Sequence, residues 1–345
     1  IFGLVIALVF DIFPASVLAV WLQIPIAVAL GFVLRRHAGW VLGGTMLAVA
    51  AMYATILLGQ FAPVDIPDTL YLPATGIWTI LLLVYAFVAS TIPVDRLLQP
   101  RDYINAWQLF IAMGLLVLGV IGAGAGGDLE LVAPAYNPSA AGAPPLWPFL
   151  FITIACGACS GFHSLVSSGT SAKQISHEPD ALFVGYGSML LEAVLATVVI
   201  VAVAAGIGMA YETPDGVLSG TAAWQHHYAS WEASKGLGSK ISAMVVGSAN
   251  MMGAIGIPKA FGVAVIGVFI ASFAGTTLDS ATRIQRYVIT ELFRDVGVSK
   301  LTNRYVTTAL AVLTAAGLAF ATGADGAGAL KLWPMFGAVN QIGRA

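Results

Sequence analysis

FLFITIACGACSGFHSLVSSGTS, residues 149–171, decides how the rest of this chain is read. The stretch holds no Asp, Glu, Lys or Arg, and it reaches the roughly 20 residues that a helix needs to cross the hydrocarbon core of a bilayer. Drawn as a helix, it sets Thr153, Cys156, Ser160, His163, Ser167 and Thr170 at alternating spacings of three and four, all on one face. Gly161, Ser164 and Ser168 lie among them. A row of hydroxyls and an imidazole is costly in hydrocarbon, so this face is expected to look into a bundle interior or a water-filled cavity. The plainer reading is a packing seam, where small residues let helices approach and hydroxyls bond across the contact.

The whole chain shares that apolar character. Of its 345 residues, 59% are hydrophobic and 9% charged, with a mean hydropathy of +0.89, which excludes a soluble domain of useful size. Fifteen Lys and Arg face seventeen Asp and Glu, so no basic surplus points to nucleic acid and no acidic tail to a solubilising arm. The lipid bilayer is the partner that composition implies. Hydropathy windows of about 19 residues place spans near 14–34, 40–60, 72–92, 104–123, 147–170, 181–210, 260–281 and 303–322. The fold class is therefore all-α, a polytopic transmembrane helix bundle, with 1–345 forming one transmembrane domain. Residues 241–257 are apolar but short and read as a re-entrant or interfacial segment. Residues 1–10 look like the tail of a cut helix, not a signal peptide, and 330–345 stop short of a span, so the chain is expected to continue at both ends.

Charge supports that list. With loops assigned alternately to two sides, one side collects Arg35, Arg36, Arg96, Arg101, Lys173, Arg283, Arg286, Arg294, Lys300 and Arg304. The other collects Lys235, Lys240, Lys259 and Lys331 with most of the carboxylates. Short cytoplasmic loops hold Lys and Arg, so the first side is cytoplasmic, provided that 241–257 does not cross.

Four features carry candidate chemistry. His163 is of the residue type that exchanges protons most readily in the physiological range, which suits a proton relay or a carboxylate contact. Cys156, Cys159 and His163 form C-x-x-C-x-x-x-H, a possible set of soft metal ligands, although no second Cys or His cluster within a span completes a site and small buried cysteines are common packing residues. Glu192 lies inside its span and is a proton or cation site by default, or a carboxyl kept for structure. Asp279 stands at the inner end of a span with Arg283 four and Arg286 seven residues on, the spacing of a helix-face ion pair that anchors or gates.

Two stretches have the make-up of helix interruptions. Gly275, Thr276 and Thr277 precede Asp279 and are suited to loosening the helix and exposing carbonyls. Tyr85, Ser90, Thr91 and Pro93 sit where a span either breaks or ends. Residues 95–102, DRLLQPRD, read as a solvated cytoplasmic turn. Neither a Walker A run, H-E-x-x-H nor G-x-S-x-G occurs, so neither enzymatic activity nor a cofactor is expected.

Several blocks together resemble the carbon starvation protein A (CstA) family of bacterial inner-membrane transporters. They are IPIAVALGF (24–32), QPRDYINAW (99–107), PFLFITIACGACSGFHSLVSSGTSAKQI (148–175), VGYGSMLLE (184–192), TTLDSATRIQRYVITELF (276–293) and LWPMFGAVNQI (332–342). The resemblance implies a multi-pass secondary transporter with a LeuT-like inverted-repeat architecture, taking up short peptides or pyruvate with protons. It implies that Ser160, Gly161, His163, Ser167, Ser168, Gly169 and Thr170 line or abut the pathway, and that 85–93 is a broken helix. The pathway set on this reading is Tyr85, Ser90, Thr91, Ser160, Gly161, His163, Ser164, Ser167, Ser168, Thr170, Glu192, Thr276, Thr277 and Asp279. A metal permease built on Cys156, Cys159 and His163, or a sensor or structural subunit that moves no solute, is the competing class.

Overall fold

The computed structural model describes residues 1–332 other than 138–140, 144, 148–149, 152–153, 155–156, 158–160, 170 and 235. Its helices are α1 (Phe2–Ile12), α2 (Val17–Arg36), α3 (Val41–Phe61), α4 (Ala74–Thr91), α5 (Leu98–Gly126), α6 (Gly161–Gly169), α7 (Asp180–Val201), α8 (Gly220–Tyr228), α9 (Leu237–Gly253), α10 (Lys259–Asp295) and α11 (Arg304–Ala319). Among the described residues, the one sheet is a hairpin of β1 (Tyr211–Thr213) and β2 (Gly216–Leu218), with Tyr211 opposite Leu218.

Among the described residues, six segments are long and apolar enough to cross a membrane: Pro14–Arg36, Val41–Phe61, Ala74–Thr91, Leu98–Gly126, Asp180–Met209 and Lys259–Asp295. They cover six of the eight hydropathy windows. The window near 147–170 falls partly outside the described residues, and α6 lies within its described part. The window near 303–322 holds only the 16-residue α11, which stops ahead of the glycine-rich 323–328.

α10 organises the bundle. Its 37 residues make a rod of about 55 Å, well beyond a hydrocarbon core of about 30 Å. In its most apolar window 61% of residues are buried, against 28–44% for the other five segments, so it is the central helix. It overruns the window near 260–281 because Arg283 and Arg286 lower the hydropathy without breaking the helix, arginine being a good helix former. Around it pack α1 to α5, α6, α9 and α11. One apolar cluster joins Ile6 and Phe10 of α1, Trp78 of α4 and Val265 and Val268 of α10, with Phe10 edge-on to Trp78 at 5.0 Å. A second joins Leu30, Met52, Ala89 and Ile104 from α2 to α5.

α9 is packed into this bundle, with Ala243, Val245, Ala249, Met251 and Met252 buried, so 241–257 is not an interfacial segment lying on a surface. It meets α7 where the latter widens into a π-helical turn at Ala202–Gly206. Such a turn frees carbonyls, and Asn250 answers by donating to Gly206 O at 2.9 Å and Ala210 O at 2.7 Å. Gly247 makes the approach possible, since a Cβ there would collide with Ala202 O and lie 2.9 Å from the Ala202 carbonyl carbon.

Candidate functional site

The buried charge of this chain converges where α4 ends, α5 begins and α10 passes both. α4 stops at Thr91 because Ile92 precedes Pro93 and adopts the extended backbone (ψ 143°) that a proline imposes on its predecessor. A helix end leaves carbonyls without intrahelical donors. Here α10 supplies the donors. Arg283 Nη2 donates to Ala89 O at 3.3 Å and Ile92 O at 3.0 Å, and Arg286 Nη1 donates to Ser90 O at 2.9 Å. Two cations at a helix C-terminus also complement its dipole.

Four residues on from Ile92 the chain has turned, and α5 starts at Leu98 with Pro100 in its first turn, where the missing N–H is harmless. That start swings Arg101 inward. Arg101 Nη1 donates to Asp279 Oδ2 at 3.1 Å, with both side chains only 2% exposed. Tyr85 of α4 completes the triangle, donating its hydroxyl to Asp279 Oδ2 at 2.8 Å and accepting from Arg101 Nη1 at 2.6 Å. Trp21 of α2 stands edge-on to the Tyr85 ring at 5.8 Å. The guanidinium reaches this position only because residue 275 is glycine: a Cβ there would overlap Arg101 Nη2 and lie 3.2 Å from Cζ.

The polar surface continues along α5. Arg101, Asn105 and Gln108 follow at i, i+4 and i+7 and are all buried, as is Gln23 of α2, whose amide donates to Asn105 Oδ1. Asp279 Oδ1, Arg101 Nε, Asn105 Nδ2, Gln23 Oε1, Ser272 Oγ and both polar atoms of the Gln108 amide have no protein partner among the described residues. Buried polar atoms are normally paired, with protein or with ordered water. A cavity bordering Arg101 and Tyr85 is about 10 Å³ and is otherwise walled by apolar residues, Trp21 and Gly275. Farther out, a cleft of about 520 Å³ opens between 132–137 and α8, walled by Asn137, Thr221, Trp224, Gln225 and Tyr228.

Of the residues singled out in the sequence, the structure brings Tyr85 and Asp279 into contact. The expected helix-face pair of Asp279 with Arg283 and Arg286 does not form: the partner comes from α5, and the two arginines serve α4. Arg101 does not belong to a solvated turn. Only Asp95 of that block makes an exposed ion pair, with Arg35 at 2.9 Å. Ser90 is buried, and Tyr85 to Thr91 is unbroken helix, so 85–93 is a capped end, not an interruption. Thr91 bonds back to Val88 O, and Thr276 and Thr277 both bond back to Phe273 O, at 3.0 and 2.9 Å, and α10 is continuous where loosening was expected.

His163, Ser164, Ser167 and Ser168 are exposed on α6, and Glu192 is exposed on α7. None of these five belongs to the Asp279 cluster. Ser167 and Ser168 bond to Ser164 O and Leu165 O. Thr153, Cys156, Cys159, Ser160 and Thr170 lie outside the described residues, while Gly161 and Gly169 are the first and last residues of α6. Among the described residues no three His, Cys, Asp or Glu side chains gather in a way that would hold a metal ion. Gln23, Arg101, Asn105 and Gln108 were not signalled as site residues. The i, i+4, i+7 spacing of polar residues leading into an apolar helix was the available signal for the three on α5.

The chain matches the family Carbon starvation protein CstA over residues 1–343. It is 38% identical over 222 residues to the pyruvate/proton symporter BtsT of Escherichia coli, covering 58% of this chain and 29% of that protein. It is 30% identical over 377 residues to the peptide transporter CstA of Escherichia coli, covering 95% and 52%, and 29% identical over 370 residues to the peptide transporter CstA of Helicobacter pylori, covering 95% and 53%. The chain thus spans about half the length of these peptide transporters. No solved structure matches it. A match running nearly end to end, over a chain whose described residues include six helices of membrane-crossing length, makes this polytopic protein a member of the carbon starvation protein CstA family.

Proposed function

We propose that the full-length protein is a secondary transporter that imports short peptides or pyruvate across the bacterial inner membrane together with protons, on a LeuT-like inverted-repeat scaffold. One observation carries the reading. A buried carboxylate and three buried guanidiniums, with a half-buried phenol, gather where the ends of α4 and α5 meet α10, amid helices apolar enough for a bilayer. Ionisable groups at such depth are expensive and mark ion or substrate pathways. The names of the relatives supply the solutes: peptide for two, pyruvate with protons for the third.

The exposed polar face of α6 and Glu192 of α7 fit the same reading. Hydroxyls and a carboxylate on membrane helices do not face lipid without penalty. They therefore line a pathway against the portion of the full-length protein that this chain lacks relative to its relatives, with His163 and Glu192 contacting substrate charge. The cleft beside α8 falls within the 300–1,000 Å³ range of small-ligand sites and serves as a point of entry.

The test is uptake of labelled pyruvate and of a labelled dipeptide into vesicles carrying the full-length protein, with and without an inward proton gradient, each solute then competing with the other. Gradient-stimulated uptake of one of them is expected, slowed and altered in its pH dependence by His163→Ala. Uptake no greater than in protein-free vesicles for both solutes would overturn the proposal in favour of a protein that moves neither.

A further inference from the structure

We propose that Asp279 is the binding site of the coupling proton, with Arg101 as its internal counter-ion, and that substrate binds elsewhere. This rests on the reading of the chain as part of a proton-coupled transporter.

Among the described residues Asp279 is the one fully buried carboxylate, against three buried guanidiniums. Those of Arg283 and Arg286 are occupied by the carbonyls that end α4. Arg101 is left for Asp279. The geometry accepts either protonation state. In the charged state, Oδ2 takes Tyr85 and Arg101, while Oδ1 has no protein partner. A proton arriving on Oδ1 leaves Oδ2 as an acceptor for both donors, so no side chain has to move. What changes is charge: the carboxyl no longer neutralises Arg101, and the clamp between α5 and α10 is weakened.

Volume decides what can reach this point. The cavity beside Arg101 and Tyr85, about 10 Å³, is at the lower limit for a single water. Neither pyruvate nor a dipeptide fits, whereas a water carrying a proton does. The unpaired atoms of Asn105, Gln108, Gln23 and Ser272 continue the polar surface from Arg101, and buried polar groups of this kind are where internal waters bind.

Few groups compete for the proton. Those acting on Asp279 are Arg101 and Asp102 from α5, Tyr85 from α4 and Arg283 from α10 itself. α1 and α2 turn apolar side chains and Trp21 toward the cavity, and no buried charged side chain comes from α3, α6, α9 or α11 among the described residues.

The test uses the full-length protein in lipid vesicles and two readouts. Infrared difference spectra between high and low pH should show the C=O band of a protonated carboxylic acid that is absent in Asp279→Asn. Transport should separate into its parts: Asp279→Asn loses accumulation driven by a proton gradient but still exchanges internal for external labelled substrate. Tyr85→Phe, which removes one hydrogen bond to the carboxylate, should displace the pH profile of accumulation. Should Asp279→Asn fold poorly with Arg101 unpaired, Asp279→Asn with Arg101→Gln leaves no net charge at the site and should give the same split.

An infrared band that survives in the folded variant overturns the proposal. Gradient-driven accumulation with an unchanged pH profile overturns it too, as does loss of exchange together with accumulation, which would assign Asp279 to the substrate. A protein that moves no solute at all defeats the transport reading, while the infrared band still decides where the proton binds.

Discussion

Replacing Arg101 by Met is the sharpest structural perturbation available, because it removes the cation and leaves the Asp279 carboxylate in place. At the observed 3.1 Å and an effective dielectric of about 20, the Coulomb attraction is about 5 kcal/mol. Most of that offsets the desolvation of the two ions, so the pair itself is worth little. Breaking it from one side is different: an uncompensated buried charge costs about 3–5 kcal/mol. The lower end applies here, because Arg283 still acts on Asp279 and Tyr85 still donates to it. The double variant Arg101→Met, Asp279→Asn has no charge to strand, so it should be more stable than Arg101→Met alone by about 2 kcal/mol or more. The assay is reversible unfolding of the four proteins of the cycle in mixed micelles. Losses that add to within about 0.5 kcal/mol would refute the account, since additivity at that level marks sites that do not interact.

Three further outcomes follow from the same geometry. Arg283→Ala strips the donor from Ala89 O and Ile92 O; amide hydrogen exchange should rise in the last turn of α4, and an unchanged exchange pattern would show that the end is held otherwise. Gly247→Ala places a methyl against the Ala202 carbonyl, and overpacking of this kind costs about 1–3 kcal/mol, so thermal unfolding should shift down; an unchanged midpoint would mean that α7 and α9 do not approach as described. His227 is buried on α8 with Nδ1 2.7 Å from Ser239 Oγ, and burial, then the neighbouring His226, push its imidazole down from 6.5 to about 4. Its neutral form is the folded one, so the stabilisation is fully present above pH 6.5 and is lost as pH falls toward 4. Protection of amides around 220–240 should decline over that window in the wild type but not in His227→Gln, and equal declines would refute the assignment.

Hydropathy made α2, α3 and α4 legible nearly to the residue, because each is an apolar run bounded by polar or proline-containing turns. It misjudged α5 and α10 for one shared reason. Both helices continue through charged residues, Arg101 at the start of one and Arg283 and Arg286 near the end of the other, and an average over side chains cannot register a charge that is neutralised by a distant part of the chain. Asp279 and Tyr85 were visible as an ionisable group and a phenol inside apolar runs, yet their pairing spans 194 residues and no local spacing encodes it. The i+4 pair with Arg283 was the local solution, but the helix end at Thr91 offers Arg283 two carbonyls in its place. Gly275 had a conformational reading in sequence but acts sterically, by making room for Arg101. The stripe through His163 and Ser167 was legible as a polar face, but Thr153, Cys156, Ser160 and Thr170, which belong to it, lie outside the described residues.

The most direct measurement is luminal pH in sealed vesicles loaded with a pH-sensitive dye and carrying full-length protein, recorded as unlabelled dipeptide or pyruvate is added outside. The account predicts that one of the two solutes acidifies the lumen of wild-type vesicles and that Asp279→Asn vesicles, which still exchange labelled substrate, show no acidification. Entry of labelled substrate without a change in luminal pH, or equal acidification by the variant, would contradict it.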